Sequence, residues 1–321
     1  MRPALLAFAV LIVIYTTFGF FNPSVFSLVN IMNMLRSMSI YLLIGIGQSY
    51  VMITGNIDLS IGSITGMSAV LFCTLMERRQ MSPPLAILIT VGCCLIAGLI
   101  NGTLISRFKL PPYIVTLGMI FVVRGAAYTI HGIRCTDSIA RGIGKEAADR
   151  VQNFFYYGST LGIYNPFLIA IAIFAFFFFL LSKTRTGRHI YAVGSNIDAA
   201  KLSGVNVSAT ITKAYIVSSF TACVVGLILC AQATMGNLEA GIMYEMYGVA
   251  AAVIGGISPL GGTGILLGTL FGAAVWRTLE NGLSMVGANF GIQRIVIGVV
   301  VILAALLNIL LRDRNKPKKK L

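Results

Sequence analysis

The residues able to do chemistry in this chain are few, and their spacing excludes most enzymes. The only histidines are His131 and His189, and no H-E-x-x-H pair exists to hold a zinc ion. No G-x-S-x-G elbow presents a serine nucleophile. The phosphate loop G-x-x-x-x-G-K-[ST] is absent too: Gly144-Lys145 is followed by Glu146, and Ile139 stands where its first glycine would be. The six cysteines include no C-x-x-C pair. Cys73, Cys93, Cys94, Cys223 and Cys230 lie in apolar runs and only Cys135 in a polar loop, so they read as small buried hydrophobes rather than metal ligands or a disulfide framework. What remains is isolated charge in apolar surroundings (Arg124, Arg277, Glu280, Arg294) and two polar interruptions, GNIDLSIGS from Gly55 and the stretch Ser182 to Lys213.

A charge at mid-bilayer costs ~2.5–3.5 kcal/mol on insertion scales, so such groups face protein or water and find partners. Arg277 and Glu280 are three apart and can pair on one helix face, as a packing salt bridge. Glu280 is the only acid well inside an apolar run and already has an arginine neighbour, which weighs against ion coupling. In GNIDLSIGS, Asn56, Asp58 and Ser60 interrupt apolar sequence, and Asp58 or Ser60 can cap the helix that follows. Two readings fit it: a tight turn between two spans, or a broken helix lining a cavity.

The stretch Ser182–Lys213 carries Lys183, Arg185, Arg188, His189 and Lys201. In its middle the Asn196 side chain can cap a short helix, with Asp198 in the first turn at the positive helix end and Gly204 taking the left-handed conformation that stops it. Between the caps lie Ile197, Ala199, Ala200 and Leu202, with Asp198 and Lys201 three apart and Ser203 before the glycine. A short, capped, small-residue helix held between two membrane spans makes a docking knob; the plainer alternative is a solvated loop.

The elements that position these residues are set by composition. The chain has 321 residues, 57% hydrophobic and 11% charged, with mean hydropathy +0.89, too few charges to cover a soluble domain of this size. Apolar runs able to cross ~30 Å of hydrocarbon recur along it, so the fold class is an all-α polytopic membrane protein with about ten transmembrane helices. The expected spans are Ala4–Phe21, Ser37–Thr54, Ile61–Met76, Pro84–Ile105, Pro112–Ile130, Pro166–Leu181, Ala214–Met235, Tyr247–Ile257, Ile265–Leu283 and Gly291–Leu311. The first resembles a signal peptide but lacks a good cleavage site, so it is expected to be retained. The segment Phe21–Arg36 reads as interfacial.

The net charge of +14 is explained by location rather than by nucleic acid. With both termini cytoplasmic, the short inner loops hold Arg107, Lys109, Lys183, Arg185, Arg188, Lys201 and Lys213, and a basic tail at 312–321, while outer loops are near neutral. The outer loop 131–164 repeats Ile139, Ile143, Ala147, Val151 and Phe155 at helical spacing, which reads as one amphipathic helix: a surface helix without a partner, or a lid or platform for an external protein. Gly264, Gly268 and Gly272 repeat every four residues, as close helix–helix contact requires.

Four stretches together resemble the permease subunits of bacterial ABC importers for monosaccharides, the ribose-type permeases. GNIDLSIGS is similar to that family's G-G-I-D-L-S-x-G-S, with Asn56 in place of the usual glycine; PPYIVTLGMIFVVRG is similar to its P-x-F-I-x-T-L-G…R-G segment, Arg124 included. AVGSNIDAAKLSGVNV resembles its cytoplasmic A-x-G-x-N-x-x-A-A-x-x-S-G-I-x-V segment, and AAVIGGISPLGGTGILLGTLFG, followed by LENGL with Asn281 and then Gln293, its C-terminal signature. The resemblance implies one transmembrane permease domain over 1–321 in the bacterial inner membrane, and no catalysis by this chain. It implies ATP and magnesium on a separate cytoplasmic ABC ATPase that contacts Ser195–Gly204. It also implies a second permease copy or paralogue and a periplasmic sugar-binding protein, working by alternating access. A stand-alone secondary carrier for a small polar solute is the competing expectation.

Overall fold

The computed structural model describes residues 2–132 and 135–314, with side-chain environments for 4–132 and 135–306. The expected tail at 312–321 lies almost wholly outside the described residues. The architecture is a helical bundle: α1 (Arg2–Phe21), α2 (Leu28–Ile53), α3 (Ile61–Glu77), α4 (Pro83–Ser106), α5 (Pro112–His131), the short α6 (Ala140–Ile143) and α7 (Lys145–Gln152), α8 (Asn165–Lys183), α9 (Arg185–Ser195), α10 (Ile197–Leu202), α11 (Val207–Ala233), α12 (Tyr244–Ile254), α13 (Leu266–Met285) and α14 (Phe290–Arg314). The only strands among the described residues are a two-residue antiparallel pair, Ser159–Thr160 with Ile163–Tyr164.

Six helices, α1, α2, α4, α5, α8 and α11, are long and apolar enough to cross a membrane. Of the other four expected spans, α3 and α12 are shorter; α12 has 11 residues, ~16 Å of rise, half the hydrocarbon thickness. α14 is apolar over Phe290–Leu306, and α13 carries Arg277, Glu280 and Asn281 among its apolar residues. Two boundaries differ from expectation by a helical turn or more. Leu28–Arg36, expected to lie in the interface, is the first part of α2, started by the Ser27 side chain accepting from the Asn30 N–H. The basic loop ends at Asn206, whose side chain caps α11, so Lys213 sits inside that helix.

The core is organised around α11, whose spanning window is 78% buried against 17% for α1. It packs with small residues: a Cβ at Gly98 of α4 would lie 2.7 Å from the Tyr215 carbonyl, and one at Gly226 would lie 2.5 Å from the Thr65 carbonyl of α3. α12 and α13 approach as the glycine repeat requires. A Cβ at Gly268 would meet the Gly255 carbonyl at 1.8 Å and one at Gly272 the Ala251 carbonyl at 2.0 Å, whereas Gly264 belongs to the preceding turn, at φ +125°.

Two non-helical segments interrupt the helices and pack against the bundle. Residues 54–60 continue from α2 to α3, and 234–243 lead from α11 to α12. Arg124 of α5 donates to the carbonyls of Leu238 and Ala240, satisfying backbone that no helix pairs. Arg124 is therefore a stitch for the second segment. Glu245 stands in the first turn of α12 with its Oε2 close to Gly62.

The loop 135–164 is not one helix. It breaks at Gly144 (φ +83°) into α6 and α7 and then a π-turn at Asn153–Tyr157. Ile139, Val151 and Phe155 are buried as the periodicity requires, with Ile143 and Ala147 half-buried and Ala148, three before Val151, buried on the same face.

Candidate functional site

The capped helix exists as the sequence specifies. Asn196 accepts from the Ala199 N–H at 2.9 Å, Asp198 lies in the first turn of α10 and Lys201 in the last. Gly204 has φ +78°, and its N–H bonds the Lys201 carbonyl while Val205 N–H bonds that of Ala200, the paired closure that ends a helix on a left-handed glycine. Around the tip Asn196, Ile197, Asp198, Ala199, Lys201, Leu202, Ser203 and Gly204 are exposed, Leu202 at 90%, while Ala200 is buried. The two alanines are thus not equivalent. Ala200 anchors α10 and Ala199 presents to a partner.

What the sequence left unseen is how firmly this knob is joined to the bundle. α9 is amphipathic, burying Gly187, Ile190 and Val193 and exposing Arg185, Arg188 and His189. A Cβ at Gly194 would lie 1.7 Å from the Ile53 carbonyl, the last residue of α2. That same carbonyl accepts from the Gly262 N–H at 2.8 Å. Tyr191 donates its phenol to the Gly264 carbonyl at 2.8 Å, and burial pushes its pKa up to about 12, so it remains a donor at any physiological pH. A Cβ at Gly261 would lie 2.8 Å from Gly55. Three of the four family-like stretches, those around Gly55, Asn196 and Gly262, therefore meet as touching backbone at one end of the bundle. Glycine spacing in each was the available signal; their meeting was not.

From that end, residues 54–60 run inward between α4 and α11 as non-helical backbone, the interruption that the sequence marks. Asp58 is fully buried, accepting from the Ser60 N–H at 2.9 Å, the Ser60 hydroxyl at 2.6 Å and the Ser218 hydroxyl at 2.7 Å. Ser60 in turn accepts from Asn101 at 2.9 Å, and Tyr215 donates to the Ile57 carbonyl at 2.9 Å. Asp58 caps the break rather than the helix, since its bond reaches only two residues on. Asn56 bonds Thr54 locally. Asp58→Leu should cost about 3 kcal/mol, because two hydroxyls and an N–H lose their acceptor in a dry interior; thermal unfolding in lipid nanodiscs checks this.

The remaining polar candidates lie away from the knob. Arg277 and Glu280 pair at 3.4 Å, as expected. Glu280 also accepts from the Tyr41 hydroxyl at 2.7 Å, Asn281 exchanges hydrogen bonds with Asn30, Gln293 donates to the Ala288 carbonyl, and Arg294 donates to the Tyr247 hydroxyl. Removing the cap is a local test of α10: Asn196→Ala should cost about 1 kcal/mol and raise tryptic cleavage at Lys201 by roughly fivefold.

The geometry joins an exposed, capped tip through α9 to the end of α2 and to the turn before α13. The family model described as branched-chain amino acid transport system / permease component matches residues 30–305. The galactose/methyl galactoside import permease protein of Escherichia coli (strain K12) is 31% identical, over 96% of this chain and 95% of its own length. The ribose import permease protein of Bacillus subtilis (strain 168) is 34% identical over 92% of this chain and 88% of that protein. The fructose import permease protein of Rhizobium meliloti is 32% identical over 94% and 84%. No solved structure matches the chain. With a family model over most of its length and near-full-length relatives above 30% identity, the chain belongs to this family of transport-system permease components.

Proposed function

We propose that this chain is the membrane subunit of an ATP-driven importer that admits a monosaccharide to the cytoplasm by alternating access. The single observation that carries the coupling is the clamp at Gly194, which joins an exposed, capped helix directly to the backbone of α2 and of the 255–265 turn. A separate cytoplasmic ATPase, holding ATP and magnesium, seats on Asn196–Gly204, with Arg188 and Lys201 reaching acidic groups on its surface. Motion of that tip shifts α2 and α12 together.

The orientation follows from charge. Arg107 and Lys109 close α4 at the same end as α10, since Ser106 and Ser208 hydrogen bond at 2.7 Å, so the basic loops gather on one side, which is cytoplasmic. Ten crossings, counting the paired shorter helices α3 and α12, return both termini to that side of the inner membrane. A second permease copy and a periplasmic sugar-binding protein complete the assembly. The family description refers to amino acids, but full-length similarity to galactose, ribose and fructose permeases favours a sugar.

Proteoliposomes holding the chain alone should show no sugar flux, and flux should appear only with the cognate ATPase, binding protein and ATP. Flux by the chain alone, surviving ATP depletion, would replace this reading with that of a stand-alone carrier.

A further inference from the structure

The half of the bundle away from α10 holds a cluster that the lever does not use. Tyr41 of α2, Tyr247 of α12 and Trp276 of α13, the chain's single tryptophan, stand ring to ring. Their centroids are 5.6 Å apart for Tyr41–Tyr247, 5.2 Å for Tyr247–Trp276 and 6.5 Å for Tyr41–Trp276, all edge-on or tilted. Charged groups ring them: Glu280 on the Tyr41 hydroxyl, Arg277 on Glu280, and Arg294 of α14 on the Tyr247 hydroxyl.

Two donors there are buried without an acceptor among the described residues, Trp276 Nε1 and Arg277 Nε. Trp276 is 4% exposed. A cluster that served packing alone would be cheaper with phenylalanine, which fills the space and orphans no N–H. Aromatic faces, one carboxylate with spare lone pairs and unused N–H donors match a polyhydroxylated ring. Its C–H faces lie on the aromatics, its hydroxyls donate to Glu280, and its oxygens accept from Trp276 Nε1 and the guanidiniums. Arg277 offsets the charge of Glu280 beside it, and the remaining guanidinium N–H groups can serve hydroxyl oxygens. The preferred ligand is neutral. Arg294 is exposed and gives the cluster an open edge.

We propose that Tyr41, Tyr247, Trp276, Glu280 and Arg294 form the subsite that the sugar contacts in transit, an inference that rests on the sugar-import reading above. The ring contacts seen here are its shut state. An entering monosaccharide parts the rings and takes over the bonds of Glu280 to Tyr41 and of Arg294 to Tyr247.

The lone tryptophan reports on the site directly. Ribose, galactose and fructose are titrated against the full chain in lipid nanodiscs while Trp276 emission is followed, and uptake is measured in cells with the native partners. One sugar should give a saturable change, and Glu280→Gln should weaken it about 10-fold and lower uptake in parallel, the loss expected for a charged hydrogen-bond acceptor. Tyr41→Phe, which keeps the ring and removes the bond to Glu280, is the second variant should Glu280→Gln fail to insert; it should alter the response as well. A flat wild-type titration, a response unchanged in both variants, or normal uptake by Trp276→Phe and Glu280→Gln overturns the subsite and leaves sugar import standing. Absence of any sugar uptake by the wild-type system overturns the import reading and takes the subsite with it.

Discussion

Ala199→Trp should stop uptake and ATPase stimulation while the permease stays folded and inserted. Ala199 is exposed on α10, between the cap at Asn196 and the bare side chain of Leu202. An indole there adds bulk where a partner must seat and touches nothing in this chain. Its effect on stability should stay within about 0.5 kcal/mol, as for surface substitutions in general. At a docking surface, one blocked central position costs about 2 kcal/mol or more, roughly 30-fold in affinity. Ala200→Trp looks alike in sequence and differs in physics. Ala200 is 4% exposed, so the ring must displace the α10 anchor, and loss of the loop fold should accompany loss of transport. Uptake of labelled sugar, ATPase rate in proteoliposomes and thermal unfolding, measured on both variants, separate the two. Normal uptake by Ala199→Trp would remove α10 from the coupling path.

Gly194→Val should also abolish transport, but by disconnecting the lever rather than blunting its tip. Its Cβ would lie 1.7 Å from the Ile53 carbonyl and 2.6 Å from the Gly262 N–H, both backbone and neither able to swing aside. α9 must lift off α2, breaking the seam that the Gly262–Ile53 hydrogen bond and the Tyr191–Gly264 hydrogen bond hold shut. The expected pattern is ATPase binding within a few-fold of wild type, because the tip is intact, with uptake down about 100-fold, the equivalent of losing ~3 kcal/mol of coupling between the two ends. Gly204→Ala is the internal control. Gly204 has open space around its Cβ and only its φ of +78° is unfavourable, so the cost should be ~1–2 kcal/mol, confined to the end of α10. Equal transport losses in the two variants would mean that the seam transmits nothing.

How much of this was readable beforehand depends on how far each interaction reaches along the chain. The cap at Asn196 and the stop at Gly204 close within four or five residues, so residue type and spacing named them correctly. The Arg277–Glu280 pair, three apart, was equally legible, and so was close helix contact at Gly268 and Gly272, though not that α12 is the partner. The inward face of the loop after His131 was legible at Ile139, Val151 and Phe155, but not the break in the helix at Gly144, a positive-φ glycine. Residues 54–60 were legible as an interruption, but their partners were not, since Asp58 finds Ser218 and Ser60 finds Asn101 far away in sequence.

Sequence alone determined that the chain is a helical membrane protein with one shaped basic loop. Hydropathy and capping are properties of single residues or near neighbours. Only the tertiary structure decided which alanine of the knob faces out, that Gly194, Ile53 and Gly262 meet, and that Trp276 gathers Tyr41 and Tyr247. The reason is the solvent. Lipid is as apolar as a protein interior, so a span apolar on every side carries no stripe to mark its inner face. Which faces meet is settled by backbone closeness at glycines and by buried hydrogen bonds between distant residues.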